Sequence, residues 1–125
     1  MDIAAIAEAL VAHCRAGTED EGLETLYSDA CVSSEAMPFA GRSADTEGLD
    51  GIRGKHAWWD ENFEVHETEV IGPFIRSDDA FTVMFRVDST EKASGQRMPM
   101  TEIARYVVEG DKIVREEFYA LPMEG

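Results

Sequence analysis

A chain of 125 residues with 44% hydrophobic side chains holds enough apolar material for one core and is too short for two. Its 26 acids against 11 bases set a formal net charge of −15. That balance excludes a protein built to hold phosphate backbones or anionic lipid with clustered Lys and Arg, so neither nucleic acid nor membrane is a predicted partner.

In chain order, Ile3, Ile6, Leu10 and Cys14 recur with helical period, and Gly17 follows as a stop signal. Thr18 and Glu21 have the spacing of a capping box, which predicts a short second helix with Leu23, Leu26 and Tyr27 buried and its end near Ser28-Asp29. A short strand is predicted over Cys31 to Ala36, and a loop over Met37 to Asp50, where Pro38, Gly41 and Gly48 lie. A third helix should bury Ile52, His56, Trp59 and Phe63, spaced four, three and four apart.

The period then changes. Val65 to Arg76 reads as a strand in which Pro73 marks a bend, a bulge or an edge. Phe81, Val83, Phe85 and Val87 alternate with polar or smaller partners on a strand with one apolar face. After the turn at Ala93-Ser94-Gly95, a long strand puts Met98, Met100, Glu102, Ala104 and Tyr106 on one face. Glu109-Gly110-Asp111 turns the chain into a last strand over Ile113 to Tyr119. Helices followed by hairpin-linked strands predict a single α+β domain over residues 1–125, three helices packed on a curved, mainly antiparallel sheet that leaves a cone-shaped cavity.

The first half is the more acidic: up to Gly41, Arg15 is the one basic residue against eight acids. A solvated surface is the plain reading, and a basic protein partner the weaker alternative. The opening Met1-Asp2 shows no export signal, and Cys14 and Cys31 read as buried thiols rather than a disulfide, which predicts a cytoplasmic protein. No paired-His or Cys-x-x-Cys spacing suggests a metal, and no glycine fingerprint suggests a dinucleotide.

Polar residues on otherwise apolar faces are the candidates for chemistry, because desolvation alters their proton affinity. Glu35, at the end of the first strand, is a candidate base. Glu102, between Met100 and Ala104, either stays protonated and donates a hydrogen bond or pairs with Arg86 or Arg115. Lys55 could hold an anionic group, and His66 and Tyr106 could assist at a bound oxygen. Trp59 and Met100 would offer soft surface to a flat apolar ligand. Glu117, beside Arg115 and Tyr119, reads best as half of a cross-strand ion pair.

Gly17 to Ser34 with its Tyr27-Ser28-Asp29, Gly51-Ile52-x-x-Lys55 with Trp59, and Glu109-Gly110-Asp111-Lys112-Ile113-Val114 with Phe118-Tyr119 together resemble SnoaL-like proteins of the nuclear transport factor 2-like superfamily. The resemblance implies a cystatin-like α+β cone, commonly a homodimer, with a pocket between sheet and helices. Relatives include steroid delta-isomerases, polyketide cyclases and limonene epoxide hydrolases. It places Glu35 where the isomerases carry their base, and Glu102 at or next to their protonated acid. Leu10 stands where the isomerases have a tyrosine, and Leu121 where cyclase-like members keep an aspartate.

The expectation is therefore a cofactor-independent isomerase or cyclase. Glu35 and Glu102 would move a proton on a small apolar carbonyl compound, with Trp59, His66, Met100, Tyr106 and Lys55 around it. The alternative is a non-catalytic ligand-binding or dimerisation module.

Overall fold

The computed structural model describes residues 1–37 and 43–121. Its elements are α1 (Ile3–Ala16), α2 (Glu19–Leu26), β1 (Tyr27–Ser34), β2 (Asp45–Glu47), α3 (Leu49–Asn62), β3 (Phe63–Arg76), β4 (Ala80–Glu91), β5 (Arg97–Glu109) and β6 (Lys112–Ala120). The strands form one six-stranded sheet in the order β2-β1-β6-β5-β4-β3. Among the described strands only β1 and β6 run parallel; every other neighbouring pair is antiparallel. The expected three helices on a mainly antiparallel sheet are thus observed.

α1 begins where Asp2 accepts a hydrogen bond from the Ala5 amide at 2.9 Å and ends at Gly17, which takes the left-handed conformation at φ 72°. The expected capping box on α2 does not form. The Thr18 side chain caps nothing; its hydroxyl bonds His13 Nδ1 at 2.7 Å instead. α2 also stops earlier than expected, because Tyr27 already adopts extended backbone and opens β1. Within the stretch expected to be loop, residues 45–47 form the edge strand β2, while Pro38 and Gly41 lie outside the described residues.

Pro73 sits in edge strand β3, within the register shift between Ile71 and Phe74, so a missing amide donor is tolerated there. Gly110 (φ 54°) and Asp111 (φ 71°) close the β5–β6 hairpin in a two-residue turn, the geometry that matches strand twist. Bulges in β1 and β3 and between β5 and β6 bend the strands and curve the sheet, which stays open with β2 and β3 as its edges.

Ile6, Leu10, Val11, Leu23 and Leu26 from the helices meet Val70, Phe81, Val83, Ala104, Tyr106 and Ile113 from the sheet in one core. Arg15 ties the end of α1 to the sheet by donating to the Val70 carbonyl at 2.9 Å. Cys14 and Cys31 are free thiols, and burial foremost pushes both up to about 12. No helix among the described residues is long and apolar enough to cross a membrane.

Candidate functional site

Strand alternation sends Cys31, Ser33 and then Glu35 from β1 toward the helix-covered face of the sheet. On β5 the same face carries Glu102, Ala104 and Tyr106, with Glu102 directly opposite Phe85 of β4 and Ala120 of β6. α3 contributes Lys55, buried at 7% exposure beside Ile52. The expected α3 face is therefore turned by one position. Lys55 points inward because its ammonium finds partners there, whereas His56 lies on the partly exposed side and bonds Asp20 of α2 at 3.0 Å.

Lys55 Nζ donates to Glu35 Oε1 at 2.7 Å and to Ser33 Oγ at 2.5 Å, and lies 5.4 Å from the centre of the Phe118 ring. Ser33 in turn donates to Glu116 Oε1 at 2.7 Å, and Tyr27 donates to Glu116 Oε2 at 2.5 Å. One hydrogen-bonded chain thus runs Glu35–Lys55–Ser33–Glu116–Tyr27 across β1, α3 and β6. Neither Ser33 nor Glu116 stood out in the sequence as a site residue. The bulge between β5 and β6 shifts the alternation so that Ile113, Glu116 and Phe118 all face inward. The legible signal was the opposite parity of Ile113 and Phe118, two apolar residues that both need cover.

Glu102 joins this cluster electrostatically. Burial pushes its carboxyl up to about 7, the negative charge of Glu35 and, less, that of Glu116 push the same way, and Lys55 opposes them. The arginine partners considered for it are engaged elsewhere: Arg86 with Glu69 at 3.3 Å and Arg115 with Glu117 at 3.2 Å. Glu117 also takes Arg105 at 2.8 Å, and these two arginines hold its carboxyl below the usual range. It is the cross-strand ion pair expected of it.

A proton is bound to Glu102 in the folded protein between its ordinary 4.5 and about 7, where the unfolded chain has lost it. Stability should therefore fall as pH rises through that window and be flat on either side. With partial solvent contact discounted, the loss is about 2 kcal/mol. Glu102→Gln should remove the slope, so that urea unfolding at pH 5 and pH 8 separates variant from parent only at the higher pH. Parallel pH curves would show that Glu102 titrates normally.

The other expected contributors are placed differently. Tyr106 is buried, stacked on Phe81 with ring centres 4.9 Å apart, and belongs to the floor of the site rather than to its opening. Met100 is two residues from Glu102 on the same face and 38% exposed. Trp59 stacks on Phe63 at 4.2 Å, at the junction of α3 and β3. His66 is exposed and bonds the Thr90 hydroxyl at 2.7 Å. It lies four residues along β3 from Val70, the strand partner of Phe85, roughly 13 Å away at strand rise, so it is not brought to the acids. The local bulge in β3 took it out of the alternation on which its selection rested.

An open groove of about 330 Å³ runs past Glu35, Phe118, Tyr119 and Ala120. A second depression of about 550 Å³ lies among Glu24, Asp29, Glu47, Asp50 and Arg53. Neither is lined by both Glu35 and Glu102. Glu35 lines the groove, and Glu102 sits behind its Ala120 wall, directly across the strand pair.

The family profile described as a SnoaL-like domain matches residues 7–116. A Mesorhizobium loti protein named for its likeness to SnoaL-type polyketide cyclases is 38% identical, with a TM-score of 0.88 over 95% of this chain and 99% of that one. An NTF2-like protein from Burkholderia thailandensis shares the fold at 16% identity and a TM-score of 0.79, over 97% and 92% of the two chains. So does a Xanthomonas campestris protein of unknown function with a cystatin-like fold, at 13% identity and a TM-score of 0.76, over 98% and 92%. No curated protein matches.

Proposed function

The chain belongs to the family of SnoaL-like domains, and from that premise we propose that it binds a small, largely apolar carbonyl compound and moves a proton on it without a cofactor, as an isomerase or cyclase does. The observation that carries this reading is the pairing of unlike carboxyls. Glu35 is paired with Lys55, and Glu102, within electrostatic reach of it, still holds its proton in about half of the molecules at pH 7. The first can accept a proton from the carbon next to a carbonyl, and the second can donate a hydrogen bond to the oxygen as it gains charge. In an isomerisation Glu35 then returns the proton to the same or a conjugated carbon; in a cyclisation the carbanion bonds to a second carbonyl carbon of the same compound and the proton goes from Glu35 to that carbonyl's oxygen, so either step balances.

Ala120 and Phe118 would form the entrance, Met100 and Phe118 the apolar wall, and Lys55 the clamp that orients Glu35. A homodimer is part of the proposal. Ile103 and Tyr119, at 39% and 52% exposure, stand opposite each other on the outer sheet face and would be covered by a second copy. A cytoplasmic location fits the two unpaired thiols.

The test needs no knowledge of the natural substrate. Hydrogen–deuterium exchange at the carbon beside the carbonyl of a bicyclic ketone such as 2-tetralone, followed by NMR, reads proton abstraction directly. The protein should accelerate it, and Glu35→Gln should lower the rate by about 100-fold, the lower range for a positioned base. Glu102→Gln, which retains a donor, should keep far more activity than Glu102→Ala. Equal rates in those two variants would remove Glu102 from the donor role.

A second reading is a ligand-binding or dimerisation module without chemistry. The Lys55 clamp on Glu35 favours it, because one oxygen of that carboxylate is already taken up by the ammonium. Saturable binding of the ketone with no exchange above buffer would establish that reading in place of the first.

A further inference from the structure

We propose that Glu116 is a positioning residue of this site: through Ser33 it steers the Lys55 ammonium, and so sets how much of that positive charge reaches Glu35. The role rests on the proton-transfer reading above, but the coupling exists without any ligand and can be measured without one.

Glu116 is 3% exposed and comes from the last strand, while Ser33 and Tyr27 come from the first. Both of its oxygens accept, one from Tyr27 and one from Ser33. Because the Ser33 proton is committed to Glu116, only the lone pairs of that hydroxyl face Lys55, which must donate into them. The direction of every bond in the chain is therefore fixed. Lys55 stands between two carboxylates, one in direct contact and one a single hydroxyl away.

A cation shared in this way offsets neither anion fully, and the field of Glu35 is less compensated than in a simple pair. The charged groups facing Glu102 from the elements packed around it are Glu35 at the end of β1, Lys55 on α3 and Glu116 on β6. Around Glu116 stand Tyr27 and Cys31 on β1, Tyr106 on β5 and Cys14 on α1, all of them neutral near pH 7. A change at Glu116 therefore reaches Glu102 in two ways, directly through the loss of its own charge and indirectly through Lys55, the cation it shares with Glu35.

The experiment is a carbon-13 NMR titration of glutamate-labelled protein without ligand, with the Glu102 carboxyl assigned by its loss in Glu102→Gln. In Glu116→Gln the lysine turns wholly to Glu35, one negative charge is gone, and the Glu102 midpoint should fall by half a unit or more, about a threefold loss of proton affinity. Ser33→Ala, which removes only one hydroxyl and keeps the Glu116 charge, should move it in the same direction by freeing Lys55. That variant decides the matter if Glu116→Gln fails to fold. Tyr27→Phe disturbs the same buried carboxylate from the side away from the lysine and should shift Glu102 clearly less.

An unmoved Glu102 midpoint in Ser33→Ala overturns the proposal, as do equal shifts in Ser33→Ala and Tyr27→Phe, which would reduce Glu116 to a core anchor. Failure of the proton-transfer reading alone would appear in the exchange assay and leave these titrations as expected.

Discussion

Phe81→Ala is expected to destabilise the fold by about 4 kcal/mol, with the urea midpoint falling and its slope preserved. Phe81 is wholly buried in the core and stacks on Tyr106 with planes inclined at 18°. Its strand partners are Ile75 on one side and Tyr106 on the other, so truncation opens a hole flanked by paired strands. Backbone pairing on both sides prevents the hole from collapsing, which puts the cost toward the upper range for an aromatic deletion. The measurement reaches beyond stability, since Tyr106 forms the floor beneath Glu116 and Glu102. Should the loss come out under about 1.5 kcal/mol, the packing between helices and sheet is looser than its geometry implies.

Lys55→Met is the second large effect, about 3 kcal/mol. Methionine replaces the stem of the side chain but strands Glu35 and Ser33 without their shared donor. Removing one member of a buried pair costs more than the pair contributes, because the remaining charge keeps its desolvation penalty. Glu35, 27% exposed on its side chain, recovers part of that through water, which places the estimate at the low end of the usual range. The same substitution withdraws the one charge that lowers the Glu102 carboxyl, so its titration should move above about 7. Combining Lys55→Met with Glu35→Gln should restore part of the stability, giving a double-mutant coupling of a kcal/mol or more in denaturant unfolding. Strict additivity would mean that the 2.7 Å contact carries no net energy in solution.

The architecture was legible where one period ran uninterrupted. α1 announced itself through Ile6 and Leu10, and β4 through Phe81 and Val83, because each buries one side and wets the other. Boundaries were less legible: Tyr27 suits either a helix face or a strand start, and pairing with Ile113 settles it as strand. Of the site, Glu102 could be singled out because an ionisable group between apolar neighbours stands out, Glu35 because it ends a strand, and Lys55 only as a cation beside His56.

Glu116 and Ser33 could not. Their importance comes from a bulge, whose one trace in the sequence is the opposite parity of Ile113 and Phe118, and from parallel pairing between the first and last strands, which leaves none. The same kind of irregularity removed His66, whose place in β3 coincides with a register shift. α3 misled for a different reason. Its periodicity favoured His56 on the inward face, but hydrogen-bonding demand at Glu35 and Ser33 brought Lys55 there.

The parallel seam between β1 and β6 has a consequence for how the molecule comes into being. The first and last long strands are neighbours within the sheet, so the contacts across this seam join residues far apart in the sequence. Such topologies close long loops before they are rewarded and reach the native state in roughly milliseconds to seconds. A nascent chain that has not yet extruded β6 from the ribosome holds Ser33 and Lys55 with no Glu116 to anchor them, so the acid cluster cannot assemble until that strand is available.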